Sequence, residues 1–102
     1  MPRAVLAPCA RTDLLSATSW IAKDNRTAAR GLRQAVLKAA ERIDAHPEIG
    51  TLRPDLADPP IRFIPLTGFP YLVVYDPTQS PALILRVFHG ARDLPTVLRS
   101  LR

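Results

Sequence analysis

The sequence predicts a small α+β domain: an N-terminal strand, an antiparallel helical hairpin, a three-stranded antiparallel meander and a short C-terminal helix, built on a four-stranded sheet. Three observations predict it. The first half holds two stretches with apolar residues at helical spacing, and the second half holds three short runs rich in β-branched and aromatic residues, bounded by proline and glycine. A chain of 102 residues has room for one core and no second domain, so residues 1–102 are read as a single domain.

Residues 3–7 are short and apolar, and Pro8 removes a backbone donor, so an edge or terminal strand is expected there. Over residues 10–23, Leu14, Leu15, Thr18, Ile21 and Ala22 mark one buried stripe of a first helix. Asp24 and Asn25 interrupt that pattern and are suited to accept hydrogen bonds from the free amides that open a second helix. This helix is expected to follow Asn25 and to run to about residue 45, with a core face of Ala28, Leu32, Ala35, Val36, Ala39 and Ile43. Gly31, costly in a helix interior, is explained by close approach of the first helix. Pro47 disfavours helical geometry at His46, so the helix stops before it.

A loop follows as far as Pro60. Residues 61–64 form a short strand limited by Pro65, residues 71–75 a central strand apolar on both faces, and residues 82–88 its antiparallel return. Leu94, Val97, Leu98 and Leu101 have helical spacing and predict the closing helix. With the hairpin on one face of this sheet, the other face is expected to lack cover and to serve as a docking surface rimmed by arginines.

The formal net charge is +5, and arginine carries most of it, since Lys23 and Lys38 are the only lysines. The guanidinium fork suits carboxylate and phosphate partners, although a general preference for arginine accounts for the same composition. One cysteine and two histidines are too few for a structural metal site, and no cofactor is expected. With no leader and no apolar run near the ~20 residues that cross a bilayer, a cytoplasmic protein is expected.

No nucleophile turn, phosphate loop or metal-ligand spacing is present. What remains is a basic constellation of Arg53, Arg62, Arg86, His89 and Arg92, expected to converge on one rim of the sheet. Two readings stay open. These groups hold an anionic surface, or stabilise the charge of RNA cleavage with His89 as acid or base. Alternatively Arg86 pairs with an acid such as Asp55 or Asp76, Arg92 bonds carbonyls at the strand end and His89 caps a turn. His46 is read as a helix cap, Cys9 as small packing filler, and Trp20 as either a flank of the core or part of a partner groove.

Several segments carry a resemblance. They are Ala28 and Ala29, the run His46, Pro47, Glu48, Ile49 and Gly50 with Arg53 after it, Ile61 and Arg62, then Tyr71, Leu72, Val73, Val74 and Tyr75. The strongest is Ile84, Leu85, Arg86, Val87, Phe88, His89, Gly90, Ala91, Arg92, Asp93 and Leu94. In this order and spacing the chain resembles the RelE/ParE superfamily of toxins from bacterial type II toxin-antitoxin modules, and within it the ParE branch.

The resemblance implies the fold deduced above and a cognate ParD-like antitoxin with an extended, apolar and acidic tail. It implies antitoxin contacts at Trp20, Arg30, Arg33 and Tyr71, and a target surface at Arg53, Arg62, Arg86, His89 and Arg92. RelE-like relatives cleave messenger RNA on the ribosome, whereas ParE-like relatives poison DNA gyrase without an evident catalytic site. This chain carries Leu72 where those nucleases often have an arginine, and Leu98 near their C-terminal tyrosine. Leucine neither stabilises a phosphate nor moves a proton, so gyrase inhibition is favoured over catalysis. A ribosome-dependent messenger RNA endoribonuclease, with His89 and Arg92 as its catalytic groups, and a homologue that only binds its antitoxin are the alternatives.

Overall fold

A computed structural model describes residues 3–90 and Asp93. The order is β1 (Val5–Leu6), α1 (Pro8–Ala22), α2 (Arg26–Ala45), β2 (Thr51–Leu52), β3 (Arg62–Pro65), β4 (Tyr71–Asp76) and β5 (Leu83–His89). The expected C-terminal helix, with Leu98, lies outside the described residues, as does Arg92.

The sheet has five strands in the order β1-β5-β4-β3-β2, and it is mixed. This corrects the expected four-stranded sheet in two ways. The N-terminal strand pairs parallel to β5, with Val5 opposite Leu83 and Leu6 opposite Ile84, and a two-residue strand, β2, adds an antiparallel edge beside β3. β1 is short because Pro8 opens α1 one residue after Ala7, whose own N–H still reaches Ile84 O at 2.8 Å.

α1 therefore starts earlier than its apolar spacing suggested, taking in Pro8 and Cys9. Proline is favoured at the first helical position because its missing N–H has no helical partner there anyway. The buried stripe of α1 is Ala10, Leu14, Ala17 and Ile21, while Leu15 is 68% exposed, contrary to expectation. Cys9 is exposed as well, and so does not fill the core.

α2 spans the expected residues. Asn25 is its N-cap, accepting from the Ala28 N–H at 3.0 Å, and His46 is its C-cap, with the backbone N–H on Arg42 O. Its buried face is Ala29, Leu32, Val36, Ala39, Ala40 and Ile43, a slight rotation from the expected stripe that leaves Ala28 and Ala35 half-buried. The absence of a side chain at Gly31 serves Phe69 of the β3–β4 connection, not α1: a Cβ there would stand 3.2 Å from the Phe69 ring.

The main core lies between the hairpin and one sheet face, around Leu32, Val36, Ile43, Val73, Tyr75 and Ile84. The second face is not bare. Phe63, Val74 and Phe88 are buried on it beneath Leu56, Ala57 and Ile61 of the β2–β3 loop. That loop folds back in a tight turn in which the Leu56 and Ala57 N–H groups both bond Arg53 O.

Candidate functional site

The first half of β5 carries a bulge. Val74 pairs with Arg86 but Tyr75 pairs with Ile84, so β5 holds one extra residue, and Ile84 and Val87 both enter the hairpin-side core. Beyond Leu6, β1 no longer covers this edge of β5, and α1 supplies Asp13 instead. Its carboxylate accepts from Arg86 Nε (2.7 Å) and Nη2 (2.9 Å), and from the Val87 backbone N–H (3.1 Å). One acid thus closes the strand edge and grips the guanidinium bidentately, with only 20% and 16% of the Arg86 and Asp13 side chains exposed. The hydrogen bond from Arg86 to Asp13 raises the guanidinium pKa further above its ordinary value. Arg86 is therefore an internally paired strand arginine, and its partner is Asp13 rather than Asp55 or Asp76.

Those two acids are engaged locally. Asp55 receives Arg53 Nε and Nη2 at 3.1 and 2.9 Å on the exposed loop, and this pairing lowers the Asp55 pKa. Asp76 accepts from the Thr78 hydroxyl at 2.6 Å, which lowers its pKa too.

Arg62 also works inward, donating from Nη1 to Gly50 O (2.8 Å) and Glu48 O (3.3 Å). Beside it the buried Tyr75 hydroxyl accepts from the Gly50 N–H (2.8 Å) and donates to Pro47 O (2.7 Å). The segment after α2 is thereby stapled to the sheet, and burial raises the Tyr75 pKa.

The four of the five expected groups that are described do not converge on one rim. Arg62 turns toward the β2 edge and Arg86 toward α1, on opposite sides of β4, Arg53 lies out on the loop, and Arg92 lies outside the described residues. His89 stands at the far end of β5, opposite Tyr71, with the two rings edge to face at 5.5 Å between centroids. Its backbone N–H donates to Asp93 Oδ2 and its carbonyl accepts the Asp93 N–H. Leu72, the next residue of β4, pairs with Phe88 and packs with the second-face cluster. Because successive strand residues alternate faces, Leu72 and His89 project from opposite sides of the sheet.

The expected partner contacts divide similarly. Arg30 and Arg33 line a groove with Arg26, Ala29 and the α1 residues Thr18, Ser19 and Ala22. Trp20 is not among its lining residues; it is 61% exposed on α1, with Lys23 Nζ 5.0 Å from its ring centroid. Tyr71 is buried against His89 and offers no open surface.

Sequence reasoning missed Asp13, whose contact with Arg86 spans 73 positions, and a second groove on the other side of α2. That groove is lined by Gly31, Gln34, Ala35, Lys38, Ala39 and Arg42 together with residues 65–67 and Phe69. The regular spacing of the α2 cations was the available signal. No group of residues able to hold a metal occurs among the described residues, and none of the described helices is long and apolar enough to cross a membrane.

A helical hairpin on a mixed five-stranded sheet, with cations ranged along its second helix, defines the class: a small basic α+β domain with open grooves on both sides of that helix. The family described as "ParE toxin of type II toxin-antitoxin system, parDE" matches residues 4–94, and the chain belongs to that family. It is thus the toxin of a toxin-antitoxin module, whose partner is an antitoxin. No curated protein matches the chain.

Proposed function

We propose that this toxin arrests bacterial growth from the cytoplasm by binding and inhibiting DNA gyrase, and that a ParD-like antitoxin neutralises it. One observation carries the choice of gyrase over messenger RNA: among the described residues, the groups a nuclease would need are not gathered at one point. The position-72 side chain is a leucine packed with Phe63, Val74 and Phe88, while the imidazole of His89 projects from the other face. Arg62 and Arg86 hold internal partners. General acid-base cleavage needs a proton carrier and a cation within hydrogen-bond reach of one phosphate. In this reading Arg62 and Arg86 position the sheet edges, and Arg53, His89 and Arg92 meet the target. Arg30, Arg33 and Trp20 contact the antitoxin, and Tyr71 serves it indirectly by holding His89.

Purified toxin is incubated with gyrase, ATP and relaxed plasmid. Loss of supercoiling or accumulation of cleaved plasmid is expected. If neither occurs across a wide range of toxin concentration, the gyrase reading falls. Messenger RNA cuts in expressing cells that vanish in His89→Ala and Arg92→Ala variants would put the endoribonuclease in its place. Normal growth on expression without antitoxin would leave a protein that only binds its partner.

A further inference from the structure

α2 carries five cations, Arg26, Arg30, Arg33, Lys38 and Arg42, and all five are exposed, whereas its two acids, Glu41 and Asp44, are half-buried. Among the described residues, none of the five is in an ion pair. At about 100° per residue, Arg26, Arg30 and Arg33 face the α1 side, while Lys38 and Arg42, one turn apart, face the β3–β4 connection. The cations thus form a ridge that crosses α2 diagonally from the α1–α2 groove to the second groove. From Arg26 to Arg42 it runs about 24 Å at 1.5 Å per residue.

The second groove has a volume of about 320 Å³ and no acidic residue in its lining. Ala35 and Leu66 form part of its apolar wall, and the Phe69 ring reaches it because Gly31 has no side chain. Like charges one helical turn apart repel, so the Lys38 and Arg42 pair is relieved by an anion placed between them. Phosphate alone has no use for the apolar wall. Carboxylates beside an apolar side chain use both features, and a protein of net charge +5 favours such a segment over a second copy of itself.

We infer that a single acidic segment of the antitoxin runs across α2, from the α1–α2 groove over the ridge, and ends with an apolar side chain in the second groove and carboxylates on Lys38 and Arg42. This rests on the antitoxin reading above and adds to it a second anchor, on the side of α2 away from α1.

The test titrates the antitoxin of the module against full-length toxin, comparing wild type with Lys38→Ala/Arg42→Ala and Arg30→Ala/Arg33→Ala. All four residues are exposed, and thermal melting checks that each variant is folded. The Lys38→Ala/Arg42→Ala variant is expected to bind about 10- to 100-fold more weakly, with steeper loss at low salt than at high salt. Wild-type affinity in that variant, alongside weakened binding by Arg30→Ala/Arg33→Ala, overturns the second anchor and leaves the first groove standing. Failure of wild-type toxin to bind the antitoxin overturns the reading on which both rest. A duplex of about 20 base pairs that binds wild type but not Lys38→Ala/Arg42→Ala, with antitoxin affinity unchanged, assigns the ridge to nucleic acid and also overturns the inference.

Discussion

Gly50 has no room for even one more carbon. A Cβ there would lie 2.7 Å from the Tyr75 ring and hydroxyl and 3.1 Å from Arg62 Cβ, so Gly50→Ala must displace the staple that closes the segment after α2. Overpacking of this kind costs roughly 2 kcal/mol, to be read from urea unfolding. Tyr75→Phe leaves the Gly50 N–H and the Pro47 carbonyl without their shared partner and is expected to cost about 1 to 3 kcal/mol. Burial raises the Tyr75 pKa above its ordinary 10.0, so the folded protein holds this proton more tightly than the unfolded chain. The contribution is complete below that pH and is lost as pH rises through the folded pKa. Unfolding measured from pH 9 upward should therefore show a loss of stability above about pH 10 that Tyr75→Phe lacks. Asp13→Ala removes three hydrogen bonds from a mostly buried guanidinium and a strand N–H, and a loss of about 2 kcal/mol is expected from denaturant melts. An apolar run interrupted by Arg86 was visible in the chain, but not its acid, because no local pattern links positions 73 residues apart.

Elements defined by their own periodicity were legible. α2 is bounded by Asn25 and by His46 before Pro47, and Asn25→Ala should lower stability by about 1 kcal/mol through loss of its N-cap bond, measurable by the same melts. β4 and β5 follow from their β-branched and aromatic runs. Elements that exist only through a neighbour were not legible. β2 is two exposed residues whose strand character comes from Phe63 and Arg62 alongside. β1 could be placed near its true position, yet its parallel pairing with β5 has no short-range signature. The β2–β3 segment reads as a polar loop rich in proline and aspartate, and only the fold shows Leu56, Ala57 and Ile61 covering the second face.

At the scale of the whole molecule, one sheet shares its hairpin-side core with both helices and carries a smaller cluster on the other face, so we propose that the chain unfolds as one unit. Far-ultraviolet and near-ultraviolet circular dichroism, the latter reporting the buried Tyr71 and Tyr75, should give coincident urea transitions; separated midpoints would refute this. Charge acts at this scale as well. A net +5 with five exposed cations on α2 predicts that association with an acidic partner slows as ionic strength rises, a dependence open to stopped-flow measurement. Composition, periodicity and motif order were enough for the α+β class, the hairpin, the three-stranded meander and the ParE likeness, because each is written in neighbouring residues. Which cations face outward is a matter of tertiary contact. Arg62 reads like a surface group, and Arg86 like a surface group or an internally paired one, until Gly50 and Asp13 are brought beside them, while Arg30, Lys38 and Arg42 stay exposed because nothing in the described fold pairs with them. A charge in a sequence has no partner until the chain folds, and the partner determines whether it holds the fold together or meets another molecule.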